Sequence, residues 1–405
     1  MNKTTPLLQL PQPQDQTKNQ AKTQPNMATV QILDGGLGTS LQDHYGIKFD
    51  STNTPLWASH MLVSDPDTLQ SCQQDFGHAG IDVLLTATYQ VSPEGFARTK
   101  TPAYPNGIPP EAIGQFLQTA VGIAERAKVR DAAKIALSLG PYGACMIPGQ
   151  EYSGAYDAAH DSEEALYQWH LQRLRLFLDA EGDLLSRMQY VAFETLPRLD
   201  EVRAVRRAIR DSGITLPFWI SCVFPREDDC LPDGSSVEAV VQAATTPTKN
   251  GLLPWGLGVN CTKVHKLPGL VDQFGACITR AMSRGQVTAA PSLVLYPDGT
   301  NGEVYNTTTQ TWEKPGGQTE GEKDTVCPHT YSQGWSVLTF IALVGDSIVT
   351  SRQECYHKRT FQVIPCGRVL QGVSSRYQET SRRILRMGNS GEGGILAKMS
   401  LQILV

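Results

Sequence analysis

Residues able to bind a metal ion or a small amino acid lie at the ends of short apolar runs. Cys261 follows the apolar part of Gly256–Thr262 (G-L-G-V-N-C-T), Glu194 ends another run, and Asp34 opens D-G-G-L-G-T. A thiol fixed at the end of a strand suits a metal ligand. Glutamates are rarely buried unless paired, so Glu194 favours a ligand contact. A free core cysteine and a structural salt bridge are the competing interpretations.

The neighbours of these residues add further polar groups and close backbone approach. Gly35 and Gly36 follow Asp34 and let the main chain come near a ligand, and Asn260 precedes the thiol. Tyr89 lies within T-A-T-Y-Q, where it serves either as a ligand contact or as a satisfied barrel tyrosine. The glycines do not indicate a phosphate loop, because neither G-x-G-x-x-G nor the Walker lysine is present.

Short apolar strands that alternate with longer helical stretches must position these side chains. Strands alternating with helices at this spacing are typical of parallel strands joined by crossover helices. Seven strands in about 270 residues fit an α/β fold of the (β/α)8 TIM-barrel type, with the eighth strand disrupted. The predicted strands are Val30–Asp34, Asp82–Thr88, Lys134–Leu139, Tyr190–Glu194, Phe218–Val223, Trp255–Asn260 and Ser292–Tyr296.

Several of the intervening helices open with a serine that can cap the first turn. Ser64 stands before Asp65–Pro66, Ser162 before two glutamates, and Ser236 two residues before Glu238. The helices are predicted at Ser64–Gly77, Pro110–Lys128, Ser162–Asp179, Leu199–Asp211, Ser236–Ala244 and Gly269–Ser283.

Composition excludes several functional classes. The 405 residues carry a net charge of −5 with no basic stripe, so we expect no nucleic-acid partner. No window approaches about eighteen consecutive apolar residues, so no membrane span is expected. The nine cysteines lack the spacing of a disulfide framework, which favours a cytoplasmic protein. We expect residues 1–27 to be disordered and residues 28–345 to form the barrel.

Taken together and in order, these motifs resemble the zinc-dependent homocysteine S-methyltransferases. The resemblance runs from about Ile32 to Glu303 and includes L-D-G-G-L-G-T, P-L-W-A-S, A-G-I-D-V-L-L-T-A-T-Y-Q, S-L-G-P-Y-G-A, F-E-T-L-P, G-V-N-C-T and L-Y-P-D-G. It implies methionine formation by transfer of a methyl group from S-methylmethionine or S-adenosylmethionine to a zinc-bound homocysteine thiolate. Betaine is a third donor within the family.

The resemblance also implies roles for individual residues. Cys261 matches the first zinc thiolate of the family. Asp34, Gly35 and Glu194 match positions that hold the amino-acid end of homocysteine, and Tyr89 matches a tyrosine near the sulfur. With Gly36 and Asn260, whose places beside Asp34 and Cys261 suggest the same pocket, these residues form the predicted substrate site.

The chain departs from the family pattern at Asp298, where relatives usually have asparagine, and at the zinc ligands. The family's other two zinc ligands are adjacent cysteines in G-G-C-C-R, and this sequence contains no Cys-Cys pair. Codons for Gly367–Gln371 can encode Gly-Gly-Cys-Cys-Arg when they are read one base later. We therefore predict that residues 346–405 are an aberrant tail translated out of frame. The alternative function is a catalytically inactive barrel that binds homocysteine.

Overall fold

The fold was analysed on a computed structural model. It describes residues 31–50, 52–247 and 251–298, with the backbone of 304–306, 311–313 and 402–404. The disorder predicted for residues 1–27 lies outside these residues. So does nearly all of the predicted tail, 346–405, including Cys355 and Cys366.

A ring of parallel strands forms the centre of the fold and confirms the predicted TIM barrel. Strands β1 to β7 pair with their neighbours in chain order, and each of these pairs is parallel. Their bounds are β1 Gln31–Leu33, β2 Val83–Leu85, β3 Lys134–Leu139, β4 Tyr190–Leu196, β5 Phe218–Cys222, β6 Gly256–Asn260 and β7 Ser292–Tyr296.

Strand β2 is shorter than predicted at its carboxyl end. The amide of Thr88 donates to the carbonyl of Thr86, and the two threonine hydroxyls lie 2.6 Å apart. These bonds turn the chain immediately after Leu85. Residues 86–88 therefore belong to the mouth of the barrel and not to its wall.

The eighth position of the ring is filled in an unusual way. After the short antiparallel pair β8 (Val304–Asn306) and β9 (Thr311–Glu313), strand β10 (Gln402–Leu404) lies between β1 and β7. It runs antiparallel to both, with Ile403 opposite Ile32 on one side and Leu295 on the other. The ring is thus closed, but by a strand that breaks the parallel order.

Helices follow the strands on the outside of the ring, close to the predicted bounds. Ser162 and Ser236 cap α6 and α8 as predicted, accepting from Ala165 and Ala239. The cap predicted at Ser64 is wrong, because Asp65 accepts the Thr68 amide while Ser64 ends the preceding short helix. The helices are α1 Leu37–Tyr45, α2 Met61–Ser64, α3 Pro66–Ala79, α4 Pro93–Arg98, α5 Ile113–Ala127, α6 Glu163–Leu178, α7 Leu199–Ser212, α8 Val237–Thr245 and α9 Leu267–Ser283. Among the residues described, none of these has the length and apolarity to cross a membrane.

The barrel interior is a separate, smaller core that supports the mouth from below. It contains one residue from most strands, with the indole of Trp219 fully buried among them. Strand β6 contributes glycines at the inward positions 256 and 258. A Cβ on Gly256 would lie 2.7 Å from a Val294 methyl group and 3.0 Å from the Trp219 Cβ. These glycines leave the space that the indole fills.

Candidate functional site

Asp34 lies directly after β1 and is almost fully buried. Its Oδ2 accepts the Leu85 amide at 2.8 Å, which ties the ends of β1 and β2 together. Its Oδ1 is buried without a hydrogen-bond partner. Burial raises the pKa of Asp34 well above its usual range, and the charge of Glu194 raises it further. One oxygen of this carboxylate therefore has no partner among the residues that the structure describes.

Glu194 lies in β4 with its side chain held by neighbouring strands. The Ser138 hydroxyl of β3 donates to Oε1 at 2.5 Å, and the Tyr296 hydroxyl of β7 also hydrogen-bonds the carboxylate. Tyr296 in turn lies 2.5 Å from the hydroxyl of Ser221 and accepts from the Trp219 indole at 3.1 Å. Burial raises the pKa of Glu194 to about 7, and the bonds from Ser138 and Tyr296 oppose that rise.

These two buried carboxylates interact through their charges, a combination that suits a small cation. Asp34 and Glu194 are 3% and 4% exposed, and the repulsion between their charges disfavours double ionisation. An ammonium group would donate to the unpartnered Asp34 oxygen. Its positive charge would favour the ionised form of both carboxyl groups. This is the chemistry expected for the amino end of an amino acid.

Cys261 follows β6 on the same rim and is held by Asn260 and Thr195. The Asn260 amide oxygen accepts the Thr195 main-chain amide at 2.8 Å. Its Nδ2 lies 2.7 Å from the Thr195 hydroxyl and 3.3 Å from the Cys261 Sγ. The Asn260 side chain, predicted to contact substrate, thus uses its hydrogen bonds to orient the thiol and to join the ends of β4 and β6.

Backbone strain is concentrated at the same place. Thr195 and Cys261 have φ of 59° and 47°, in the left-handed region that side chains other than glycine rarely occupy. Such conformations cost about 1–3 kcal/mol each and persist where surrounding contacts enforce them. Here the amide of Asn260 supplies those contacts, and the Thr195 hydroxyl reaches the sulfur at 3.7 Å.

The surroundings of the Cys261 thiol disfavour its ionised form. Burial raises its pKa to about 12, while a hydrogen bond with Thr195 opposes the rise and the charge of Asp298 adds to it. A thiolate here would need a cation bound to the sulfur. Within the residues described, no group of three or more His, Cys, Asp or Glu side chains is placed to hold a metal ion.

Tyr89 and the first glycines also lie at this mouth. The Tyr89 ring packs on Gly140, where a Cβ would approach the ring to 2.7 Å. Burial raises the pKa of Tyr89 well above its usual range, and its hydroxyl hydrogen-bonds Thr195. Gly35 is buried and Gly36 precedes the first turn of α1, so main chain alone borders Asp34 there.

Sequence reasoning did not identify Arg173 of α6, a buried cation beneath the mouth. Its guanidinium donates to the carbonyls of Val91 at 2.7 Å, Gly140 at 2.6 Å, Thr88 at 3.1 Å and Tyr89 at 2.5 Å. These bonds fix the loops after β2 and β3. A lone arginine on a helix is normally a surface residue, so the sequence alone offers no signal for it.

The roles of Ser138, Tyr296 and Tyr152 were also not predicted. Ser138 and Tyr296 lie in motifs that were recognised, and their contact with Glu194 follows from the closed ring. Tyr152 belongs to the long loop after β3, where no periodicity places a side chain. It nevertheless hydrogen-bonds the Cys261 thiol.

Comparisons with known proteins agree with this geometry. The sequence profile of homocysteine S-methyltransferases matches residues 31–345. Homocysteine S-methyltransferase 1 of Brassica oleracea var. italica is 27% identical over 294 residues, 69% of this chain and 79% of that protein. Homocysteine S-methyltransferase YbgG of Bacillus subtilis (strain 168) is 28% identical over 293 residues, covering 69% and 80%. The metallated homocysteine methyltransferase MmuM of Escherichia coli superposes with a TM-score of 0.52 at 25% identity, covering 65% of this chain and 82% of its own.

Proposed function

The chain belongs to the homocysteine S-methyltransferase family, and from this premise we propose that it forms methionine by methylating homocysteine with S-methylmethionine or S-adenosylmethionine. The observation that carries the proposal is the buried pair Asp34 and Glu194. Among the described residues one Asp34 oxygen has no partner, and the pair lies on the same rim as Cys261. The proposal places the cation of the substrate at this pair and its sulfur towards Cys261.

The bound homocysteine would be held by its amino end. Its ammonium group lies between Asp34 and Glu194, and main chain at Gly35 and Gly36 borders the rest of the amino-acid end. Its sulfur points towards Cys261 and Tyr89. Fixing both ends of a small substrate converts an encounter between two reactants into a reaction within one complex.

Methyl transfer to the homocysteine sulfur balances without a general acid. The thiol loses its proton to solvent, and a sulfur lone pair forms the new bond to the methyl carbon. The old bond breaks with its electrons passing to the sulfonium sulfur of the donor, which leaves as a neutral thioether. The net result is methionine, a thioether and one proton.

Zinc is the cofactor that family membership suggests, and the described residues do not fit a complete site for it. Structural and catalytic zinc ions take at least three protein ligands, whereas the mouth supplies the single thiol of Cys261. Cys327, Cys355 and Cys366 lie outside the described residues. We therefore propose Cys261 as a zinc ligand of an incomplete site.

That disagreement keeps a second function open: a homocysteine-binding barrel that does not turn over. We also propose that the tail is translated out of frame from near residue 346. The frame change would remove the cysteine pair that other members of the family have. Sequencing the transcript tests the frame, because codons for Gly367–Gln371 that cannot encode Gly-Gly-Cys-Cys-Arg in the shifted frame would remove the idea.

Two measurements on the purified full-length chain separate the functions. Calorimetric titration with homocysteine should show binding in both cases, and Glu194→Gln should weaken it. Stoichiometric zinc together with methionine formation from either sulfonium donor supports the methyltransferase. Metal-free protein that binds homocysteine without turnover supports the inactive barrel. Absence of homocysteine binding would contradict both. A cytoplasmic location stays a prediction.

A further inference from the structure

The loop after β3 folds back over the mouth as a fixed turn. The Gln150 amide donates to the Gly143 carbonyl at 2.8 Å, and the Gly154 amide donates to the Gln150 carbonyl at 2.8 Å. A Cβ on Gly143 would lie 2.7 Å from the carbonyl carbon of Gln150. The turn is therefore packed against the short helical turn that follows β3 and holds Glu151 and Tyr152 in a defined place.

Tyr152 connects this turn to the thiol. About half of its surface (52%) is exposed, so the ring lies at the edge of the mouth, while its hydroxyl hydrogen-bonds Cys261. Tyr152 and Tyr89 each lie within electrostatic range of both Cys261 and Glu151. The two tyrosines, the thiol and the Glu151 carboxylate therefore share one region of the mouth.

Glu151 is a half-buried carboxylate for which the described residues supply no counter-charge. Its side chain turns back over Gly149, where a Cβ would lie 2.6 Å from Oε2. Burial raises its pKa to about 7, and the only opposing hydrogen bond comes from its own main-chain amide. In the proposed complex the ammonium group of homocysteine pairs with Asp34 and Glu194. The negative charge of Glu151 therefore has no positive partner there.

We propose that Glu151 selects a positively charged methyl donor, with its carboxylate beside the sulfonium group and Tyr152 between that group and Cys261. The inference rests on the proposed function, because it assigns a binding residue for the methyl donor, the second substrate of that reaction. A carboxylate attracts a sulfonium and has no such attraction for the thioether that remains after transfer. Glu151 thus favours entry of the charged donor and release of its neutral product.

The test compares S-methylmethionine with methionine, which differ by one methyl group and one positive charge. Both are titrated calorimetrically into the full-length chain without homocysteine, so that no methyl transfer contributes heat. We expect the sulfonium to bind at least about tenfold more tightly than the thioether, equivalent to about 1.4 kcal/mol. Glu151→Gln, which keeps the shape and removes the charge, should abolish that preference.

The matched control is Glu94→Gln, the same change at an exposed residue of α4. It should retain the preference, and both variants should bind homocysteine as the parent does, which shows that they are folded. A preference that survives Glu151→Gln, or its absence from the parent, overturns the inference and leaves the proposed function standing. If homocysteine does not bind in a separate titration, the proposed function fails, and the titrations of the sulfonium and the thioether still decide the role of Glu151.

Discussion

The chemistry of this mouth depends on carboxylates held where their charge is costly. Asp34 and Glu194 are buried by apolar strands, and hydrogen bonds from Ser138 and Tyr296 compensate only part of the lost hydration. A positively charged ligand supplies the remainder. The two carboxylates therefore lower the stability of the ligand-free protein and at the same time provide a binding site for an ammonium group.

This cost predicts a pH dependence of stability that is assignable to Glu194. Its pKa rises from 4.5 to about 7 on folding, so the folded state binds the additional proton between those values. The stabilisation is fully present below about pH 4.5 and is lost as pH rises through about 7, at a limit of about 3 kcal/mol. Urea unfolding of the ligand-free chain at several pH values should show this decline.

Glu194→Gln should make that decline shallower, because the amide cannot titrate, while Asp34 and Glu151 retain their own contributions. The control is Glu111→Gln, the same change at an exposed residue before α5, which should keep the slope of the parent. An unaltered slope in Glu194→Gln would assign the pH dependence to other groups.

Arg173 is the second residue whose replacement has a defined expected result. Arg173→Met leaves the carbonyls of Thr88, Tyr89, Val91 and Gly140 without their shared donor in a buried place. We expect the free energy of unfolding to fall by at least about 3 kcal/mol, since each unsatisfied buried group costs about 1–3 kcal/mol. Arg126→Met, on the exposed face of α5, should change it by less than about 1 kcal/mol in the same urea titration. Equal effects would mean that the carbonyls find other partners.

At the scale of elements, β6 has glycines on its inner face because side chains would not fit there. Leu257 and Val259 point outward into the main core. Gly256 approaches Trp219, and Gly258 approaches the main chain of Val294 in β7. The same strand ends in Asn260 and Cys261. A displacement of β6 would therefore move the thiol as well as loosen the interior.

Gly258→Ala tests this close approach. The added Cβ would lie 1.9 Å from the Val294 carbonyl oxygen, so main chain has to move. We expect a loss of about 1–3 kcal/mol in thermal or urea unfolding, typical of overpacked cores. Gly114→Ala in α5 is the control, because its Cβ has space and alanine stabilises helices, by about 0.5–1 kcal/mol here. A loss of similar size in both variants would contradict the steric explanation.

At the scale of the molecule, the sequence predicted the barrel because each parallel strand is buried on both faces and reads as an apolar run. Strand bounds from β3 to β7 were close to those observed, and Asp34, Glu194 and Cys261 lie on one rim because parallel strands end on the same side. Arg173, Ser138 and Tyr296 were missed, since their contacts depend on the closed ring. Strand β10 was missed because it comes about a hundred residues after β7 and runs antiparallel, so no βα alternation signals it.

Closure by β10 leads to the last prediction. Its three residues pair with β1 and β7, and without them the main chain of both strands would be open to water and to other chains. Ile403→Pro removes the central amide of this strand and should lower the free energy of unfolding by roughly 2 kcal/mol. It should also increase light scattering on mild heating, because exposed strand edges associate. Removal of Val405 alone leaves the paired residues in place and should do neither. If Ile403→Pro behaves like the parent, the seven parallel strands hold the barrel without the antiparallel one.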